Sequence, residues 1–162
     1  MPQISGEQRA ALLAELGGLR RFCLSLTSAS ADADDLLQST VERILEKGMP
    51  ADADPIKWAY RVCRNAWIDE VRSREVRQRY PAQAVDDDAG APSAETSASN
   101  ERTVSDVAEA LGELPDEQRL ALVLVAVEGK TYAETAEIMG VPTGTVMSRI
   151  ARARRQLADK ME

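Results

Sequence analysis

Histidine is absent from this chain of 162 residues, and cysteine occurs only twice. The lack of histidine removes the commonest general base and the commonest metal ligand. Cys23 and Cys63 alone cannot form a typical zinc site. Each lies in an apolar helical pattern, which favours two small buried side chains in a reducing compartment, although a disulfide or a redox role remains open. The sequence therefore predicts no metal, no cofactor and no catalytic residue.

Aromatic residues are also scarce, at 4% of the chain. Alanine, leucine, valine and isoleucine supply most of the 44% of hydrophobic residues, a composition that favours helical bundles over sheets. No apolar run approaches the roughly 18 residues that a membrane span requires. The N-terminus has no basic region followed by an apolar core, so it does not resemble a secretory signal. We therefore expect an all-α, cytoplasmic protein.

One polar segment divides the chain. Residues 81–101 read PAQAVDDDAGAPSAETSASNE, in which a single valine is the only large apolar residue. Such a segment buries too little surface to offset the entropy of ordering it, so it predicts a flexible acidic linker. Two small helical domains are expected on either side, over residues 1–80 and 102–162.

Basic charge is clustered, although the net charge is −7. Residues 57–79 hold seven lysines and arginines against three acids, and residues 149–155 hold four arginines. The overall acidity therefore conceals two local positive stripes, a feature typical of surfaces that contact nucleic acid.

Start and stop signals predict three helices in the first module. A capping box of Ser5 and Gln8 begins the first helix, the second spans about 32–47, and Pro55 follows the cap of the third. Apolar residues at three- and four-residue steps predict the buried stripe of the third helix, namely Ile56, Tyr60, Cys63, Trp67 and Val71.

The second module predicts a helix-turn-helix. A capping box of Thr131 and Glu134 begins a short helix that ends at Gly140, and Thr143 is expected to cap the last helix. A short helix, a turn of about four residues containing glycine and a second helix are the parts of this motif.

A helical wheel of residues 144–158 separates two faces. The apolar face, expected to point into the core, comprises Val146, Ile150, Ala153 and Leu157. The opposite arc comprises Thr145, Ser148, Arg149, Arg152, Arg155 and Gln156, whereas Arg154 falls outside it. Arginine forks match guanine edges and phosphate oxygens. Because this is the second helix of the motif, we predict that the arc contacts DNA rather than forming solvated pairs with glutamates.

Both modules resemble one known family. The second is similar to region 4 of bacterial RNA polymerase sigma factors of the extracytoplasmic function (ECF) group, in the stretch ALGELPDEQRLALVLVAVEGKTYAETAEIMGVPTGTVMSRIARARRQL. The first is similar to regions 2.1–2.2 in LRRFCLSLTSASADADDLLQSTVERIL and to regions 2.3–2.4 in DPIKWAYRVCRNAWIDEVRSREVR. Regions 1.1 and 3 have no counterpart. The resemblance implies a promoter-specificity subunit that binds core RNA polymerase, through the clamp helices and flap of its large subunits, together with promoter DNA and an anti-sigma factor.

The resemblance also assigns residues of the second predicted helix to the polymerase. Leu37, Val41, Ile44 and Leu45 are expected to pack inward. The opposite, acidic face suits a basic partner. Its implied polymerase-binding residues are Asp35, Gln38 and Glu42, with Leu36 lying off the core stripe and adding apolar contact.

In this family regions 2.3 and 2.4 open the −10 element and hold a flipped base. The basic segment suits this role, because its cations can bind the phosphates along a single DNA strand. The implied −10 residues are Arg61, Arg64, Asn65, Asp69 and Arg72, with Arg74 and Arg77 as phosphate contacts. An alternative role for Asp69 is that of a hydrogen-bond acceptor within the protein. Trp67 lies on the buried stripe and is expected in the core. For Trp58, stacking on DNA and packing in the core are both open.

Region 4 recognises the −35 element in this family. The implied contacts are Thr145, Ser148, Arg149, Arg152 and Arg155. Relatives commonly carry lysine or arginine where this chain has Met147, so one cationic contact is missing. Two other functions are compatible with the second module. One is a helix-turn-helix regulator that acts without being a polymerase subunit, and the other is an interaction protein that has lost DNA binding. The region 2 resemblance argues against the first, and the retained arginines argue against the second.

Overall fold

The computed structural model describes residues 3–79 and 100–161, and within these ranges the chain is helical and contains no strand. Most of the predicted linker, 81–101, lies outside the described residues. The helices are α1 (Gly6–Thr27), α2 (Ser30–Lys47), α3 (Pro55–Arg79), α4 (Asn100–Glu113), α5 (Asp116–Leu122), α6 (Tyr132–Met139) and α7 (Thr143–Met161). The all-α prediction is confirmed. No helix within the described ranges is long and apolar enough to cross a membrane.

Helices α1, α2 and α3 pack together as the first module. The capping box that begins α1 is confirmed, since Ser5 Oγ accepts from the Gln8 amide at 3.1 Å and Gln8 Oε1 accepts from the Ser5 amide at 3.0 Å. At the start of α3, the Asp54 carboxylate accepts from the Ile56 amide. Both helices therefore begin where the side chains satisfy otherwise unpaired backbone donors.

The core of this module forms between α1 and α3. Tyr60, Cys63 and Trp67 are buried as the stripe predicted, and the ring of Phe22 meets that of Tyr60 edge-on at 5.2 Å. Cys23 and Cys63 are free, buried thiols whose sulfur atoms lie 3.5 Å apart. Small apolar packing is therefore what the two cysteines provide in this fold.

The inward face of α2 differs from the prediction. Its buried residues are Ala33, Leu36, Thr40 and Ile44, whereas Leu45 is 54% exposed. The expectation that Leu36 lies off the core stripe is therefore wrong, as is the inward placement of Leu45. Thr40 concealed the true stripe because it is polar. Its hydroxyl is satisfied within the helix by donating to the Leu36 carbonyl at 2.8 Å, so it is buried without loss.

The second module contains the predicted helix-turn-helix, formed by α6 and α7. The Thr131–Glu134 capping box begins α6, and Gly140 ends it with a left-handed φ of 68° that glycine adopts without strain. Thr143 is the first residue of α7 rather than its cap, because the Pro142 carbonyl already accepts from the Thr145 and Val146 amides. Before this motif, α5 continues into a π-helical turn, Val123–Val127.

Candidate nucleic-acid and polymerase interfaces

Helix α7 presents the two faces that the wheel predicted. Val146, Ile150 and Ala153 are buried, with exposures of 2% or less. On the other side Ser148, Arg152 and Arg155 are exposed, and Thr145 is half-buried. The buried apolar face therefore fixes the orientation of α7 and leaves its polar face at the surface. Met147 is 52% exposed, so the position without a cation does reach the surface.

Arg149 is held differently from the other arginines of the arc. It is half-buried, and its Nη1 donates to Glu117 Oε2 of α5 at 3.1 Å. The same carboxylate pairs with Arg64 of α3, whose Nη2 lies 3.5 Å from Glu117 Oε1. Glu117 thus joins one arginine implied in −35 recognition to one implied in −10 recognition, across the two modules.

One basic face of α3 packs against the second module. Lys57, Arg61 and Arg64 follow one another at steps of four and three residues, which places them on one side of the helix. Lys57 Nζ lies 2.8 Å from Glu137 Oε2 of α6, and this pair raises the pKa of the lysine. Arg61 lies beside Gly140, at the turn of the helix-turn-helix. Its Nη2 is 3.9 Å from the point that a Cβ on this glycine would occupy. The helix-turn-helix therefore approaches this face closely.

The other residues implied in −10 recognition lie outside this contact. Asn65 and Arg72 are exposed, and Asn65 Oδ1 accepts from Arg64 Nη1 at 2.9 Å. Arg74 and Arg77 both pair with Glu70. Asp69 accepts from Arg43 at 3.0 Å, so it does serve as an internal acceptor, between α3 and α2. The structure packs Trp67 in the core, whereas Trp58 is half-buried against it.

The residues assigned to the polymerase divide into surface and core. Asp35, Gln38 and Glu42 are exposed, and the Gln38 amide donates to the Glu42 carboxylate at 3.1 Å. Leu36 is only 6% exposed and lines a cleft of about 520 Å³ that residues of α1 to α5 form. Asp35 and Asp69 both line that cleft. Two surfaces that were predicted separately therefore meet at one depression.

Arg119 of α5 anchors the second module to the first. It is 8% exposed, and its guanidinium donates to the Ser25 carbonyl at 3.1 Å and to Ser28 Oγ at 3.0 Å, at the C-terminal end of α1. Its Cζ lies 5.9 Å from the ring centroid of Trp67. Burial lowers the pKa of this guanidinium, and the nearby Asp116 opposes that effect. A cation at a helix C-terminus is favourable, since it meets the unpaired carbonyls there.

Glu128, which follows the π-helical turn, forms a second anchor. Its side chain is 1% exposed and accepts two hydrogen bonds from Arg21, at 2.9 and 3.1 Å. The Tyr60 hydroxyl lies 3.2 Å from the same carboxylate and 2.9 Å from that of Glu15. Burial and these two carboxylates raise the pKa of Tyr60. Glu128 of the second module therefore joins two residues of the first, Arg21 of α1 and Tyr60 of α3.

None of these inter-module residues was identified from the sequence. Ordinary helical patterns contain all four of them, namely Glu117, Arg119, Glu128 and Glu137. The partners of Glu128 are 68 and 107 residues away in the sequence, and Ser25, whose carbonyl binds Arg119, is 94 residues away. A single sequence carries no local signal for pairs at such separations. Only the three-dimensional packing reveals them.

A helix-turn-helix with exposed arginines, joined to a second helical module with a basic face, defines a two-module DNA-binding protein. Residues 13–77 match the model of Sigma-70 region 2, and residues 105–157 match that of Sigma-70 region 4. The chain is 36% identical over 143 residues to the ECF RNA polymerase sigma factor SigM of Mycobacterium tuberculosis, covering 86% of this chain and 69% of that protein.

Two further similarities cover most of the chain. It is 32% identical over 154 residues to the ECF sigma factor EcfG of Rhodopseudomonas palustris, covering 91% of this chain and 81% of that one. The co-crystal structure of the sigma factor RpoE with the anti-sigma factor NepR from Bartonella quintana superposes with a TM-score of 0.74 at 28% identity, covering 97% and 98% of the two chains. This chain belongs to the ECF family of RNA polymerase sigma factors. It is a subunit that binds core RNA polymerase and directs promoter-specific initiation, and the alternative of a regulator outside the polymerase is not favoured because region 2 is also present.

Proposed function

We propose that the two modules divide promoter recognition between them. Residues 1–80 bind the polymerase and recognise and melt the −10 element, residues 102–162 read the −35 element, and residues 81–101 join them. The protein has no catalysis of its own and acts in the cytoplasm. The observation that supports this division most directly is the exposed arc of α7, with Ser148, Arg152 and Arg155 outward over a buried apolar face.

The proposed DNA contacts follow the two basic surfaces. On α7 they are Thr145, Ser148, Arg149, Arg152 and Arg155. On α3 they are Arg61, Arg64, Asn65 and Arg72, with Arg74 and Arg77 on phosphates and Asp69 acting through its bond to Arg43. The proposed polymerase contacts are Asp35, Gln38 and Glu42, together with Leu36, which lines the cleft beside them.

An anti-sigma factor is the proposed negative regulator. The RpoE relative was crystallised with the anti-sigma factor NepR. The structure of CnrH, whose fold is similar with a TM-score of 0.67 at 22% identity, is that of a complex with the cytosolic domain of CnrY. We propose a partner of the same class for this chain, which would cover the polymerase-binding surface.

The division of labour is tested by promoter binding with and without core polymerase. Duplex fragments carrying a −35 element are expected to be protected by the chain together with core polymerase and only weakly by the chain alone, because few phosphate contacts give weak, salt-sensitive binding. Asp35→Asn with Glu42→Gln should weaken co-purification with core polymerase, while the matched pair Asp34→Asn with Glu46→Gln on the same helix should not. Equally tight duplex binding without polymerase would contradict the proposal and favour a free-standing regulator.

A further inference from the structure

The two cysteines of the chain, Cys23 and Cys63, meet in the core of the first module. They lie 40 residues apart in the sequence, one on α1 and one on α3, and their sulfur atoms are 3.5 Å apart. Both thiols are free and fully buried, and in this reduced state they pack as small apolar groups. Because the S–S bond of a disulfide is about 2.05 Å long, the sulfur atoms need to approach each other by only about 1.5 Å to bond.

The packing around the two thiols keeps α1 and α3 close together. The ring of Phe22, the residue before the first cysteine, meets the ring of Tyr60 edge-on at 5.2 Å, one turn before Cys63. Ala59 and Ala66 lie one turn on either side of Cys63 and are buried, and small side chains at a contact let helices approach closely. Since a folded core is close-packed, the effective concentration of one thiol at the other is high.

The two thiols differ in their chemical environment. A hydrogen bond from Cys23 lowers the pKa of Cys63 against the opposing effect of burial, and the Thr40 hydroxyl adds to the lowering. The same hydrogen bond, together with burial, raises the pKa of Cys23. Because the thiolate is the nucleophilic form of cysteine, Cys63 is the thiol that reacts first with an oxidant and Cys23 is the thiol that follows.

We propose that Cys23 and Cys63 form a modification site, a thiol pair that a peroxide converts into a reversible disulfide between α1 and α3. The Cys63 sulfur attacks one oxygen of hydrogen peroxide, so that an S–O bond forms, the O–O bond breaks and one water leaves with the Cys63 proton. The Cys23 sulfur then attacks the Cys63 sulfur, so that the S–S bond forms, the S–O bond breaks and a second water leaves with the Cys23 proton. Two thiols and one hydrogen peroxide thus give one disulfide and two waters.

The disulfide changes the fate and the stability of the oxidised chain. Capture by Cys23 removes the sulfenic acid on Cys63 before it reaches the irreversible sulfinic and sulfonic states. The bond also closes a loop that contains all of α2, which restricts the unfolded state and thereby stabilises the first module. Because both thiols are buried, peroxide reaches them only when the module opens locally, so the reaction is slow.

The test uses the full chain without polymerase. Reduced protein is incubated with hydrogen peroxide, the remaining thiols are blocked with N-ethylmaleimide, and the chain is digested with trypsin. Cleavage after arginine leaves Cys23 in the peptide 22–43 and Cys63 in the peptide 62–64. Mass spectrometry without reductant detects the two peptides joined, and circular dichroism follows the thermal unfolding of the intact oxidised chain. Cys23→Ala, treated in the same way, is the control.

The monomeric wild-type chain is expected to yield the joined peptides 22–43 and 62–64, and its Tm should rise by at least about 5 °C on oxidation. Dithiothreitol should reverse both changes. Cys23→Ala should show no rise and should carry Cys63 as sulfinic or sulfonic acid. Absence of the joined peptides from the wild type, a linkage only between two chains, an unchanged Tm, or an equal rise in Cys23→Ala would each overturn the proposal. The comparison of reduced with oxidised wild type decides by itself if Cys23→Ala does not fold.

Discussion

Arg149 of the recognition helix donates to Glu117 at the start of α5 with a distance of 3.1 Å, so one of the arginines implied in −35 recognition is already engaged inside the protein. Arg152 and Arg155, by contrast, point outward from the same helix. The arginines of α7 therefore differ: Arg149 already has a hydrogen bond within the protein, whereas Arg152 and Arg155 are exposed.

Replacing Arg152 by alanine should weaken −35-dependent initiation. A well-placed arginine–base contact is worth roughly 1–3 kcal/mol, which is about a 5- to 150-fold loss. The measurement is transcript yield from a −35-dependent promoter at limiting protein. Arg154→Ala, which removes an exposed arginine outside the arc, is the matched control and should have the smaller effect. Unchanged output with Arg152→Ala would remove this residue from the contact surface.

Leu36→Ala and Leu45→Ala should differ sharply in stability, although both shorten a leucine on α2. Leu36 is 6% exposed, so its truncation should lower the free energy of unfolding by about 2–5 kcal/mol. Leu45 is 54% exposed, so its truncation should cost less than about 0.5 kcal/mol. Urea denaturation followed by circular dichroism measures both. Equal losses would contradict the burial of Leu36, and a larger loss for Leu45→Ala would mean that the inward face of α2 is the one predicted from the sequence.

Arg119→Ala should loosen the second module from the first. The variant loses hydrogen bonds from a charged donor to Ser25 and Ser28, worth about 2 kcal/mol, and uncovers Trp67. In a Trp58→Phe background Trp67 is the only tryptophan, and its emission should shift to longer wavelength. Arg9→Ala, which removes an exposed arginine from α1, controls for the loss of charge. An unshifted emission spectrum would show that Arg119 does not hold the modules together.

Thr131→Ala should destabilise the helix-turn-helix. Its hydroxyl accepts from the Glu134 amide at 3.0 Å, and loss of such a cap typically costs about 1 kcal/mol. Because α6 has only 8 residues, few other backbone bonds can compensate. Thermal unfolding and the affinity for −35 DNA in the presence of polymerase should both fall, while Thr131→Ser should retain both. Full stability in Thr131→Ala would show that the cap is dispensable.

Glu134 adds a dependence on pH at the same helix start. The bond from the Thr131 amide lowers the pKa of Glu134 below its ordinary value of 4.5. A lowered pKa in the folded state contributes stability that is present above the unfolded pKa and lost as the pH falls through the folded pKa. Glu134→Gln keeps the capping hydrogen bond but does not titrate, so the difference in stability between the two proteins should shrink below about pH 4.5. A difference that is constant with pH would contradict this.

Local signals in the sequence account for much of the fold. Ser5, Thr131 and Gly140 marked helix ends correctly because caps and left-handed turns depend on a few neighbouring residues. The face of α7 was also predicted, since its apolar residues have the helical period without interruption. The face of α2 was not, because buried Thr40 breaks the apolar pattern and its satisfied hydroxyl is visible only in the structure.

The sequence predicted which surfaces form the candidate site, but it did not predict which side chains pair between them. The sequence indicated that Arg64 and Arg149 lie on basic stripes, and both do lie on them. It contained no indication that Glu117 joins the two or that Glu137 meets Lys57, because such pairs depend on how distant helices dock. The arrangement of the two modules is thus what the structure adds.

Promoter-directed initiation with purified core RNA polymerase tests the central claim most directly. Genomic fragments are transcribed with and without the purified chain, and the 5′ ends of the transcripts are mapped. We predict a discrete set of start sites that appears only when the chain is added and that shares −10 and −35 sequences. Start sites that are identical with and without the chain, together with no co-purification with core polymerase, would contradict the account.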